Sequence, residues 1–311
     1  TWQSFTSSNA RDSASFTQFW NPFTFRDRIY AGQFGGAGEG DLWRCDPATL
    51  APIDVCNEGD WTQAFLGAGT RLLSLAELNG YLYVGQGNGA SEGAIHRCAP
   101  GADGRCDNPG DWTLARTATQ EAISALAAYN GKLYAGQGSG LGDGDILVCD
   151  PAQTGAVDAC DTTDWSASMD GTQEYINALA VHDGRLFAGQ GDSAGDADIY
   201  VFDGSSWTLS YNGAGANASA FASQGGSLYA SEASPGSILR YNGSSWVSHF
   251  TGDATRIETL TAAHGRLLAA QGPSAEDGDL YELLGTLGTK IFNGAQERLA
   301  AGGLLNGHFY A

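Results

Sequence analysis

One six-residue phrase recurs along this chain and constrains its fold more than any other feature. It reads Arg28-Ile-Tyr-Ala-Gly-Gln33, Tyr81-Leu-Tyr-Val-Gly-Gln86, Lys132-Leu-Tyr-Ala-Gly-Gln137 and Arg185-Leu-Phe-Ala-Gly-Gln190. Weaker copies are Ser227-Leu-Tyr-Ala-Ser-Glu232, Arg266-Leu-Leu-Ala-Ala-Gln271 and His308-Phe-Tyr-Ala311. The aromatic or leucine position falls at 30, 83, 134, 187, 229, 268 and 310, so successive copies lie 39 to 53 residues apart. Self-similarity at that period belongs to arrays of supersecondary units, each of which buries its apolar face against its neighbours.

Each unit divides into four strand-like pieces. The first is small and apolar, as in Ile123-Ser-Ala-Leu-Ala-Ala-Tyr129, and ends in a two-residue turn such as Asn130-Gly131, Asp183-Gly184 or Gly225-Gly226. Such pairs suit tight hairpins because both central residues need positive φ. The recurring phrase is the second strand. The third begins at Asp41, Ala94, Asp145, Asp198, Ser237 and Asp279, and the fourth opens with Trp61, Trp112, Trp165, Trp207 or Trp246. No stretch carries an apolar period of 3.6, so the chain is predicted to be all-β and a single domain over residues 1–311. Its 45 glycines fall in the turns, the Gly-Gln strand end and the loop into the third strand.

Four-stranded units of this length are β-propeller blades. Counting first and second strands predicts seven blades, with six as the alternative. Residues 299–305 and 307–311 read as a first and second strand, and Trp2-Gln-Ser-Phe5 reads as a fourth. The termini would then share one blade and close the ring. That blade lacks an evident third strand, which residues 6–15 or a neighbouring molecule would have to supply.

The order Asn130-Gly-Lys-Leu-Tyr134, a glycine-rich strand end, Val148-Cys-Asp-Pro151 and then Trp165 resembles the kelch repeat. The resemblance runs blade by blade along the whole chain and implies a propeller. Two departures stand out: Gly-Gln replaces the Gly-Gly doublet, and cysteine replaces the family's tyrosine in three blades. Kelch-like repeats occur in intracellular adaptors and in extracellular oxidases, so the resemblance implies a fold more than an activity.

The six cysteines form three local pairs, Cys45/Cys56, Cys98/Cys106 and Cys149/Cys160. Each pair starts at the end of a third strand and finishes just before a fourth-strand tryptophan, within disulfide reach for hairpin partners. Other blades place Phe202, Tyr241 or Leu283 at the first position, so the slot is one of packing. The pairs lack the CxxC or Cys/His spacing of a zinc site. Disulfides imply an oxidising compartment. The chain opens at Thr1 without a charged n-region and apolar h-region, as expected of a processed, secreted protein.

The loops after the second strands carry acids at nearly one register. They include Asp143 and Asp145, Asp196 and Asp198, and Glu276, Asp277 and Asp279, with Glu39, Asp41 and Glu92 in the other blades. Paired carboxylates on one side of a turn can hold Ca2+, and hairpin turn chemistry is the competing reading. No cofactor is required by any motif. Gln33, Gln86, Gln137, Gln190 and Gln271 share one repeat position, with Glu232 in the sixth copy. In a ring they would lie at one radius, either as a polar ligand site or bonded to the neighbouring blade. The regular tryptophans are expected in the core, with Trp20 and Trp43 as candidates for exposure. Two sequons start at Asn217 and Asn242.

Net charge is −20, which disfavours nucleic acid because phosphate contacts need clustered cations. No apolar run reaches the length of a membrane span. The sequence has no P-loop or zinc-protease helix motif. These observations favour a non-enzymatic, secreted structural or adhesive component at the cell surface or in the matrix, with protein partners that include copies of itself. A glycan-binding lectin, and a polysaccharide-active enzyme with channel-facing carboxylates, are the alternatives.

Overall fold

The computed structural model describes residues 18–35, 38, 40–46, 56, 60–87, 92–117, 122–151, 158–171, 173–234, 236–252, 256–272, 278–293, 303–305 and 308–310. Of 18–20 and the last two segments it describes the backbone alone. Six antiparallel sheets of four strands each follow one another, with strands in chain order from inside to outside. The innermost strands are Gln18–Phe25, Leu72–Leu78, Ile123–Tyr129, Ile176–His182, Phe221–Gln224 and Arg256–Ala263. The second strands are Arg28–Phe34, Tyr81–Gln86, Lys132–Gln137, Arg185–Gln190, Ser227–Glu232 and Arg266–Gly272. Third strands run Leu42–Cys45, Ile95–Cys98, Ile146–Cys149, Ile199–Phe202, Ser237–Tyr241 and Leu280–Leu284. The outermost are Trp61–Phe65, Trp112–Arg116, Trp165–Met169, Trp207–Tyr211, Trp246–Thr251 and Leu287–Phe292. Residues from all six innermost strands line one axial cavity, which makes the array a propeller.

Six blades correct the expected seven. Residues Gly303–Leu305 and His308–Tyr310 pair as a separate two-stranded sheet beside the first and second strands of blade 1. The recurring phrase marks every such hairpin, so counting it adds one unit that has two strands, not four, among the described residues. Trp2 to Phe5 and residues 6–15 lie outside the described residues.

The local signals act as their chemistry requires. The turns between first and second strands hold both central residues at positive φ, for example Asn130 at 50° with Gly131 at 73°, and Asp183 at 46° with Gly184 at 69°. In the recurring phrase the aromatic and its neighbours are fully buried, and glycine admits the next blade. A Cβ on Gly136 would lie 2.5 Å from Cγ2 of Ile176 in blade 4.

The core is divided among the joints between blades. Tyr134 and Ile146 of blade 3 pack with Leu186, Ala188 and Phe202 of blade 4. The Cα atoms of Cys45–Cys56, Cys98–Cys106 and Cys149–Cys160 are 5.9, 5.9 and 6.0 Å apart in three disulfides. Cys149 and Cys160 share a cluster with Tyr83 of blade 2. Phe202 meets Tyr134 in the same way, and Tyr241 meets Phe187. One hole, facing the aromatic of the preceding second strand, is thus filled by a disulfide or by a ring. The Cys160 amide donates to the Tyr83 hydroxyl at 2.9 Å. Burial pushes that phenol up to about 12, partly opposed by the Cys160 amide and Arg97.

The outer strands add a ladder of indoles. Trp112 and Trp165 donate to the carbonyls of Ala64 and Ala115, each at 2.9 Å, and Trp207 and Trp246 to the hydroxyls of Ser168 and Ser210, each at 3.0 Å. Every acceptor lies on the outermost strand of the preceding blade. These tryptophans join blades; Trp246 is buried, and Trp112, Trp165 and Trp207 are half-buried where core positions were expected. Trp43 corrects the expectation of exposure: it is half-buried and donates to Gln33 Oε1 at 2.7 Å. The side chain of Trp20 lies outside the described residues.

Candidate functional site

Acids at the start of the third strands fasten blades 1, 3 and 4 each to itself. Asp41 Oδ1 accepts from the Gly67 amide at 2.8 Å, Asp145 Oδ1 from Gly171 at 3.0 Å and Asp198 Oδ1 from Gly213 at 3.1 Å. Each glycine follows the outermost strand of the same blade, so one carboxylate clasps the loop that leaves the sheet. Burial raises the Asp198 pKa, and nearby Asp196 adds to the rise while the Gly213 amide opposes it. Asp143 accepts from the Ser139 hydroxyl at 2.7 Å, and Asp279 pairs with Lys290. Among the described residues, no three side chains of His, Cys, Asp or Glu gather as a metal cluster. Glu276 and Asp277, like Glu39, lie outside the described residues. The register of acids and the glycines after the fourth strands of blades 1, 3 and 4 both stand in the sequence. What joined them was the hairpin geometry.

The glutamines are buried between blades and line neither end of the axial cavity. Gln86 Nε2 donates to the Gly40 carbonyl of blade 1 at 3.2 Å. Glu232 takes the same place in blade 5, accepting from the Gly215 amide of the loop leaving blade 4 at 2.9 Å. Gln271 lies against Gly252, the glycine that follows the outermost strand of blade 5. In blades 2, 5 and 6 the position is a wedge between neighbouring blades, whereas Gln33 accepts from Trp43 of its own blade. The sequons also separate. Asn217 is 3% exposed and lies inside the cavity mouth, whereas Asn242 stands in an exposed turn where its Oδ1 accepts from Ser244 and Ser245 amides.

The residues that face the axis come from β-bulges near the starts of the innermost strands. Register slips leave Leu73, Ser124, Asn177 and Glu258 as the extra residue in blades 2, 3, 4 and 6. A bulge turns one side chain out of the period-two alternation, and here it turns toward the channel. Asn21 and Ser219 complete one residue per blade at the mouth of a cavity of about 340 Å³. Sequence reasoning missed this ring because its members differ chemically from blade to blade.

Three of these side chains, together with Ser74 next to Leu73, form a hydrogen-bonded belt. Asn21 donates to the Leu73 carbonyl, Ser74 to Ile123 at 2.8 Å, Ser124 to Ile176 at 2.5 Å and Ser219 to Ile257 at 3.3 Å. Each step runs from one blade to the next. Asn177 instead donates to the Gly191 carbonyl of its own blade at 2.6 Å. Blade 6 breaks the pattern. Its residue is Glu258, a carboxylate with no proton to give, and its side chain is 5% exposed with Oε1 lacking a hydrogen bond.

No protein-family model matches this chain, and no curated protein sequence does, so the kelch resemblance is unconfirmed. Solved structures match its shape. A chain in the crystal structure of the mitotic checkpoint complex superposes with a TM-score of 0.63 at 15% identity, over 97% of this chain and 90% of that one. The extracellular domain of a putative hybrid two-component system from B. thetaiotaomicron gives a TM-score of 0.62 at 11% identity. That match covers 94% of this chain and 36% of the other. At such identities the likeness is one of fold, a β-propeller.

Proposed function

We propose that this chain is a non-enzymatic extracellular propeller, a structural or adhesive component that joins copies of itself at the end of its blade array. The carrying observation is the outermost strand of blade 6. Where blades 1 to 4 have their outermost strand met by the indole of the following blade, Leu287 is 75% exposed and Leu284, the last residue of the third strand, is 61% exposed. An exposed strand with apolar residues is a ready surface for strand addition. The two-stranded sheet beside blade 1 supports the same reading, since two strands fall short of a stable independent sheet. Three disulfides favour an oxidising, extracellular setting.

The test is the assembly state of the full chain, by light scattering across concentration and by electron microscopy. Oligomers or filaments are expected, with Leu287→Asp shifting them toward monomer. Monodisperse monomers at every concentration would overturn the proposal.

A further inference from the structure

Two buried acceptors without a donor belong to residues that line the mouth of the axial cavity. Glu258 Oε1 has no hydrogen bond, and its nearest cation, Arg256 Nη1, stands 3.9 Å away, beyond hydrogen-bond length. Asn217 Oδ1, on the adjoining blade, is likewise unpaired. Both residues line the same cavity, and Ser219 binds the Ile257 carbonyl immediately before Glu258. Buried polar atoms are nearly always satisfied, and these two, unlike the unpartnered amide atoms of Gln190 and Gln271, belong to residues lining a cavity that a donor from outside the chain can enter.

The surrounding charge limits what that donor can be. An ammonium group would satisfy both acceptors but would sit beside the Arg256 guanidinium. An anion would suit Arg256 and be repelled by Glu258. A neutral ligand with neighbouring hydroxyls avoids both conflicts, because each hydroxyl donates to one group and accepts from another. Leu73, Ala122 and Tyr175 give the same cavity apolar wall for the C–H face of such a ligand. Its volume of about 340 Å³ lies in the range of small-molecule sites. We propose that the channel mouth binds a neutral polyol, a single sugar residue of a glycan, with Glu258 and Asn217 accepting from its hydroxyls and Arg256 donating to them. The site binds without making or breaking a bond, and it does not depend on self-assembly.

Calorimetric titration of the full chain with glucose, galactose, mannose and N-acetylglucosamine tests this. At least one sugar is expected to bind, with Glu258→Ala and Asn217→Ala each weakening it about tenfold or more. Glu258→Gln, which keeps the shape and one acceptor, should lose less. If the alanine variants fail to fold by circular dichroism, crystals of the unaltered protein soaked in the same sugars decide, with density expected against Glu258 and Asn217. Absence of binding by all four sugars, binding unmoved by every folded variant, or a sugar seated elsewhere would each overturn the proposal. So would binding of choline or phosphate in place of the sugars.

Discussion

Replacing Gly136 by alanine probes how closely the blades meet. The new Cβ would stand 2.5 Å from Cγ2 and 2.7 Å from Cβ of Ile176, a fully buried residue of the next blade. Carbon atoms prefer about 3.5–4.0 Å, so roughly 1 Å must be found by moving one sheet against another. Overpacking of this kind costs about 1–3 kcal/mol, and the stiffer unfolded chain of alanine returns about 0.4–1 kcal/mol. A net loss of about 1–2 kcal/mol is expected in urea unfolding followed by tryptophan fluorescence. Ile176→Ala removes the closer atom at its own cost of about 2–5 kcal/mol. The double variant should therefore fall short of the summed single effects by about 1 kcal/mol. Gly110→Ala, where an added Cβ meets nothing within 4 Å, serves as control and should stay within about 0.5 kcal/mol. A Gly136→Ala protein as stable as the parent, or strictly additive with Ile176→Ala, would refute the close joint.

Removing Cys149 and Cys160 together should lower stability by about 2–3 kcal/mol, given the 11-residue separation, and dithiothreitol should have no further effect on that bridge; thermal melts with and without reductant measure both. Tyr83 makes stability sensitive to alkali. Its folded pKa of about 12 exceeds the ordinary 10.0, so its contribution is complete below pH 10 and is lost as pH rises toward 12. That amounts to about 2–3 kcal/mol, and Tyr83→Phe should flatten stability against pH in that window. Expression in a glycosylating host should place a glycan on Asn242 and leave Asn217 bare, as read by glycopeptide mass spectrometry.

The strands and their hairpins were legible because similar residues serve the same backbone need in most blades. Asn79-Gly80 and Asn130-Gly131 take positive φ wherever a first strand turns into a second, and even His264 adopts 48° there ahead of Gly265. The disulfide slot was legible because Phe202 and Tyr241 replace cysteine at the same register. Blade number was less so, since the phrase marks a hairpin and, among the described residues, the C-terminal hairpin is a sheet of two strands. The channel mouth was hidden for a different reason. Asn177 and Glu258 reach the axis only through an extra residue that breaks the alternation, and a single sequence does not announce a bulge. Regularity drew attention to the glutamines, whose sameness reflects a repeated packing task.

The indole ladder and the axial belt run in opposite senses around the ring, and blades 2 and 3 each carry both halves of both joints. Trp165 reaches back to Ala115 while Ser124 of the same blade reaches forward to Ile176. Such head-to-tail joints set no limit on the number of units; closure depends on the small rotation each unit adds. A repeat duplicated within the gene arrives with its hook and its eye already matched to its neighbours. The ancestry of this array can therefore have gained or shed blades without inventing new contacts. Glu258, which breaks the belt, is the kind of local departure through which one unit of a repeated series acquires a task of its own.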